Sequence, residues 1–89
     1  MAPAYRIEIQ KSASKELASL EMRFRRRVDA AIRALSADPR PPGVKKLQGP
    51  GNLWRIRVGD YRVIYRIQDE VLLVLVIRIA DRKDVYKGM

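Results

Sequence analysis

The side chains best suited to chemistry in this chain are arginines. Arg55, Arg57, Arg62 and Arg66 recur at alternate positions of two neighbouring segments, Leu53–Val58 and Tyr61–Ile67. A period of two places all four on one face of a strand pair. Like charges opposite one another on a sheet destabilise it by roughly 0.2 kcal/mol or more, and the pair contains a single acid, Asp60, at its turn. Between Arg40 and Ile67 seven basic residues stand against that one acid. The guanidinium fork matches phosphate oxygens two at a time, which a lysine ammonium does not. The face therefore reads as a phosphate-binding surface, to which Lys45 and Lys46 add charge from the preceding loop.

Chemistry on phosphate has to proceed here without the usual groups. The chain has no cysteine and no histidine, which excludes a disulfide framework, thiolate chemistry and the commonest acid–base side chain near neutral pH. Asp81 and Asp84 are flanked by Arg82 and Lys83 and read as local ion pairs or a turn rather than a magnesium site. Gln48-Gly49-Pro50-Gly51 lacks a following Lys-Ser/Thr and precedes a strand, so it is no phosphate loop. No metal or cofactor is expected. Trp54, Tyr61 and Tyr65 fall in phase with Ile56, Val58 and Val63, which assigns them to the core. Tyr86 differs, standing in a polar tail four residues after Arg82. Covering a sheet edge and taking part in chemistry are both open to it.

The elements that must position these residues follow from hydropathy and turn signals. Tyr5, Ile7 and Ile9 alternate with polar residues as a half-buried strand. Ala13, Leu17, Leu20, Phe24, Val28, Ala31, Ile32 and Leu35 form a helical stripe, with Ser12 or Ser14 as its cap. Its length favours two helices in a hairpin over one bent helix. Asp38-Pro39-Arg40-Pro41-Pro42-Gly43 stops the helical region, and a loop runs through Lys45 and Lys46 to Asn52. Gly59-Asp60 suits a type II′ turn, which would bring Val58 opposite Tyr61 and Arg57 opposite Arg62. After a turn at Asp69-Glu70, Val71–Ile79 is nearly continuously apolar and belongs at the centre of the sheet. The expectation is one α+β domain over residues 1–89, ordered β-α-α-β-β-β, with a helical hairpin on one face of a mainly antiparallel sheet.

A net charge of +9 on 89 residues favours polyanionic partners. The N-terminal segment lacks the apolar stretch of a secretory signal, and Val71–Ile77 falls well short of the roughly 20 residues of a membrane helix. A cytoplasmic protein without a membrane partner is expected. Arg23, Arg25, Arg26, Arg27 and Arg33 on the helices read mostly as a solvated face, with an acidic protein as the alternative partner.

Three stretches carry a family resemblance: Asp38-Pro-Arg-Pro-Pro-Gly-Val-Lys-Lys-Leu, Leu53-Trp-Arg-Ile-Arg-Val-Gly-Asp-Tyr-Arg-Val-Ile-Tyr and Ile79-Ala-Asp-Arg-Lys-Asp-Val-Tyr. Together they resemble the RelE/ParE superfamily of type II toxins over nearly the whole chain. The resemblance implies the RelE-like microbial ribonuclease-type fold. In its RelE-like branch it implies an endonuclease that cuts messenger RNA in the ribosomal decoding site; ParE-like relatives act on DNA gyrase. Arg55 and Arg57 then match a basic pair of the active site, Arg62 the arginine of the next strand, Arg82 a later arginine and Tyr86 a near-terminal tyrosine. The chain departs from the pattern at Arg55 and Arg57, where the best-known member has lysines, and at Asp81, where many relatives carry histidine. Arg57, Arg62, Arg82 and Tyr86 are the catalytic candidates, and Arg55, Lys45, Lys46 and Arg66 the RNA-binding ones. The resemblance also implies a RelB-like antitoxin with an acidic binding segment, for which Arg23, Arg26 and Arg27 are a landing place, and contact with promoter DNA only through that antitoxin. A gyrase poison, a nucleic-acid-binding module without cleavage and an inactive relative are the competing readings.

Overall fold

The computed structural model describes residues 4–81. The chain runs β1 (Arg6–Ile9), α1 (Lys11–Ala18), α2 (Met22–Ala34), β2 (Lys45–Lys46), β3 (Leu53–Val58), β4 (Tyr61–Gln68) and β5 (Leu73–Asp81). The strands form one sheet in the order β1-β5-β4-β3-β2. β1 runs parallel to β5 and every other pairing is antiparallel. Val74, Val76 and Ile79 of β5 are buried, in keeping with its apolar sequence, but β5 lies second in the sheet and β4 is the middle strand.

Two helices form rather than one, separated at Ser19–Glu21. The Ser19 hydroxyl donates to the Glu16 carbonyl at 2.7 Å, closing the last turn of α1. Neither Ser12 nor Ser14 caps that helix. Gln10 does so in extended conformation, without a side-chain bond, because its N–H still belongs to the sheet through the Val76 carbonyl while its own carbonyl accepts from Ser14. Two further differences come from long-range pairing. Lys45–Lys46, expected as loop, is a short strand against β3. Val71, expected in the last strand, sits in a 3-10 turn over Asp69–Val71 and is 62% exposed. Leu72 then takes a positive φ of 51° to enter β5. A bulge at Ile77 shifts register, so that Ile64 faces Arg78 while Tyr65 faces Val76.

Ala13, Val28, Ile32 and Leu35 from the helices pack against Ile56, Val63, Tyr65, Ile67, Val74, Val76 and Ile79 of the sheet. The residues of opposite phase are left on the helix-free face. Tyr65 is fully buried, its hydroxyl donates to the Pro39 carbonyl at 2.7 Å, and burial pushes its pKa up to about 12. Nearby, Arg40 grips Asp69 with both guanidinium nitrogens, at 3.1 and 2.8 Å. The Tyr5 hydroxyl donates to the same carboxylate at 2.6 Å. These bonds fix the proline-rich loop to the end of the sheet. Among the described residues no helix is long and apolar enough to cross a membrane.

Candidate functional site

The β3–β4 hairpin builds the site. Gly59 takes a φ of 61° and Asp60 does not take a positive one, which fits the type II′ turn and not the type I′. The resulting register sets Val58 against Tyr61, Arg57 against Arg62, Arg55 against Ile64 and Leu53 against Arg66. β2 adds Lys45 directly opposite Arg55. Lys45, Arg55, Arg57 and Arg62 therefore gather on the helix-free face, and on the other side of Arg62 the register partner is the small Ala80.

The electrostatics of this cluster are those of like charges held close together. The Arg62 Nε is buried and finds no hydrogen-bond partner among the described residues. Such an orphan donor is costly unless a ligand satisfies it. The Arg55 pKa is held below the ordinary guanidinium value, first by desolvation and then by the charges of Arg62 and Arg57. Arginine nevertheless stays protonated at neutral pH. A phosphodiester placed between these forks would lower their mutual repulsion and accept from them in pairs. Among the described residues no three side chains of metal-binding type gather.

The remaining sequence candidates divide by position. Arg66 lies on the same face beyond Ile64, and its Nε is committed to the Gly51 carbonyl at 3.0 Å. Lys46 pairs with Trp54 and lies over that indole, 5.7 Å from the ring centroid, so it turns away from the arginine face. On α2, Arg23 stacks over Phe24 at 4.6 Å and lies 3.5 Å from Glu21. Arg26 is exposed, and the Arg27 guanidinium lies over Gly59. Arg82 and Tyr86 lie outside the described residues. Sequence reasoning missed the supporting bonds of Tyr5, Arg40 and Asp69, because these residues are remote in the chain and no short motif joins them. It also missed that Arg40 stacks over Trp54, 4.8 Å from the ring centroid.

Residues 7–86 match the family model described as ParE toxin of type II toxin-antitoxin system, parDE. The chain is similar to toxin RelG of Mycobacterium tuberculosis, being 30% identical over 84 residues that cover 93% of this chain and 97% of the relative. It is similar in structure to the archaeal RelE–RelB complex from Pyrococcus horikoshii OT3, with a TM-score of 0.80 and 34% identity over 89% of this chain and 96% of the other. The toxin–antitoxin complex RelBE2 from Mycobacterium tuberculosis also gives a TM-score of 0.80, with 27% identity over 92% and 95% of the two chains. Helices on one face of a mixed, mostly antiparallel sheet are thus shared with RelE toxins.

Proposed function

The chain belongs to the ParE toxin family of the RelE/ParE superfamily, the toxins of type II toxin–antitoxin systems, and from this premise we propose that it is a RelE-like endonuclease that cuts messenger RNA engaged on the ribosome. The observation that carries this reading is the Arg57–Arg62 pair, with Arg55 and Lys45 beside it and the Arg62 Nε unsatisfied among the described residues. A gyrase-directed protein needs a basic surface but has no chemical need for this set.

In the proposed reaction the RNA 2′-oxygen bonds to its own adjacent phosphorus and the bond from phosphorus to the 5′-oxygen breaks. The ends are a 2′,3′-cyclic phosphate and a 5′-hydroxyl, and no nucleophile from the protein is required. Arg57 and Arg62 clamp the scissile phosphate and stabilise charge developing on its oxygens, an effect worth on the order of 10²- to 10³-fold per preorganised donor. Arg55 and Lys45 hold flanking phosphates. By its resemblance to the family pattern, Tyr86 takes the 2′-hydroxyl proton, Arg82 stabilises the phosphate and the leaving oxygen, and that oxygen takes a proton from water to become the 5′-hydroxyl. A phenol with an ordinary pKa near 10 serves as a base only where cations favour its phenolate. A RelB-like antitoxin is the proposed partner, and promoter DNA is reached through it.

The test is cleavage of a message on ribosomes and of the same message free in solution, with mapping of ends. Arg62→Ala and Tyr86→Phe, each checked for folding, are expected to lose about 10²-fold or more of the activity. Wild-type rates in both variants would sink the site assignment. The family model is named for ParE, which gives the second reading its footing. Inhibition of DNA gyrase by a protein that leaves both messages intact would establish that reading instead.

A further inference from the structure

The main chain of Arg62 is held by β5 and not by its hairpin partner. Val58 and Tyr61 close the hairpin, and the alternation of an antiparallel ladder then makes Arg57 and Arg62 a pair without main-chain bonds between them. The N–H and C=O of Arg62 turn instead to β5, where the register partner is Ala80. The place of Arg62 beside Arg57 thus depends on how firmly this part of β5 is held.

Among the described residues that part has a strand on one side only. β1 pairs with β5 as far as Val76, and its last bond runs from the Gln10 N–H to the Val76 carbonyl. The chain then turns into α1, and the Gln10 carbonyl accepts from Ser14. The bulge leaves Ile77 out of the β4 pairing and reverses the phase of β5. Val74 and Val76 are buried before it and Ile79 after it, so Arg78 and Ala80 fall on the helix-free face. The Ile79 N–H points to the side that β1 has left, and it donates to Oε1 of Glu16 in α1 at 2.9 Å. The other carboxylate oxygen lies 3.8 Å from the Arg78 Nε. The carboxylate stands on a fixed support, since Ala13, one turn earlier, is buried and Leu17 packs against the core.

We infer that Glu16 is a positioning residue for the arginine site: its side chain continues the β5 ladder where the main chain of β1 has left it, and through Ile79 and Ala80 it holds Arg62 where one phosphate meets both Arg62 and Arg57. A carboxylate suits this place, because an N–H bond to a charged acceptor is stronger than one to a neutral carbonyl. The helix that carries it cannot itself pair with a strand. The ion pair with Arg78 is the lesser contact, being long and more than a third exposed on both sides. The inference rests on the endonuclease reading for its effect on cleavage, and it brings into that site a residue from outside the basic face.

The test compares Glu16→Ala, Glu16→Asp and Glu16→Gln in the full chain, each checked for folding by its urea midpoint. Asp keeps the charge and falls one methylene short, whereas Gln keeps an acceptor oxygen at full reach and loses the charge. In Glu16→Ala and Glu16→Asp the Ile79 and Ala80 amides are expected to exchange at least about tenfold faster than in wild type. The maximal rate of message cleavage is expected to fall at least about tenfold in both, with KM changed less than about twofold, as a misplaced stabiliser of the transition state requires. Glu16→Gln is expected to keep exchange and cleavage near wild type. Wild-type exchange at Ala80 in Glu16→Ala overturns the inference, as does faster exchange with an unchanged cleavage rate. A rate in Glu16→Gln as low as in Glu16→Ala also overturns it, since the charge and not the bond to Ile79 would then be what counts. A wild type that leaves messages intact on ribosomes, with the Ala80 amide released by Glu16→Ala and kept by Glu16→Gln, would retire the endonuclease reading and leave Glu16 as the residue that positions Arg62.

Discussion

Arg62 is placed where its proposed chemistry and its contribution to folding oppose each other. It faces Arg57 across the hairpin, adds its charge to the desolvation that lowers the pKa of Arg55, and buries an Nε without a partner among the described residues. Replacing it by Met keeps the apolar stem and removes both the repulsion and the orphan donor. Arg62→Met is therefore expected to be more stable than wild type by about 1 kcal/mol, read as a higher urea midpoint at unchanged slope, while cleavage is lost. A lower midpoint would mean that the guanidinium is satisfied in the folded chain and that the site carries no stored repulsion. This residue was legible in the sequence, since alternation alone set four arginines on one face. The burial of its Nε was not, because it depends on how neighbouring strands crowd the side chain.

At the scale of elements, the proline-rich loop is held by two devices that can be separated experimentally. One is the Tyr65 hydroxyl bond to the Pro39 carbonyl. Tyr65→Phe leaves that buried carbonyl unpaired and is expected to cost about 1–3 kcal/mol in chemical denaturation, with little change in cleavage. The other is ionic. The Asp69 carboxyl is lowered from 3.8 to about 2, first by its bond from Arg40 and then by that from Tyr5. A depressed carboxyl stabilises the fold above its unfolded pKa, and this contribution is lost as pH falls from near 4 through about 2. Wild type should thus lose thermal stability across that range more steeply than Asp69→Asn, and parallel curves would show that the ion pair does not couple to folding. The alternating strands, the helical hairpin and the turn at Gly59 were legible because each is written in local pattern. β2 was not, since two lysines become a strand only when β3 lies beside them. The first turn of α1 was misjudged because the sheet claims the Gln10 N–H before any serine can act as a cap.

For the molecule as a whole, charge placement sets the law that the proposed RNA binding would follow. Lys45, Arg55, Arg57 and Arg62 meet on one face, whereas Lys46 lies over Trp54 on the other. Four phosphate contacts to a single strand predict a slope of log affinity against log salt near about −3. Lys45→Ala is expected to reduce that slope by about 0.7, and Lys46→Ala to leave it unchanged. Equal effects of the two substitutions would mean that RNA tracks the sheet edge rather than its face. Arg82 and Tyr86, which the family pattern adds to the site, are legible only in sequence.

The pairing of β1 with β5 has a consequence for biosynthesis. Arg6 to Ile9 bond to Leu73 to Val76, so among the described strands β1, the first made, waits for β5, the last. Contacts between such distant parts of a chain are slow to form. A prematurely terminated product lacking β5 has neither a partner for β1 nor the strand that flanks Arg62 at Ala80. On the reading proposed above, the chain therefore completes its site only once β5 has been made.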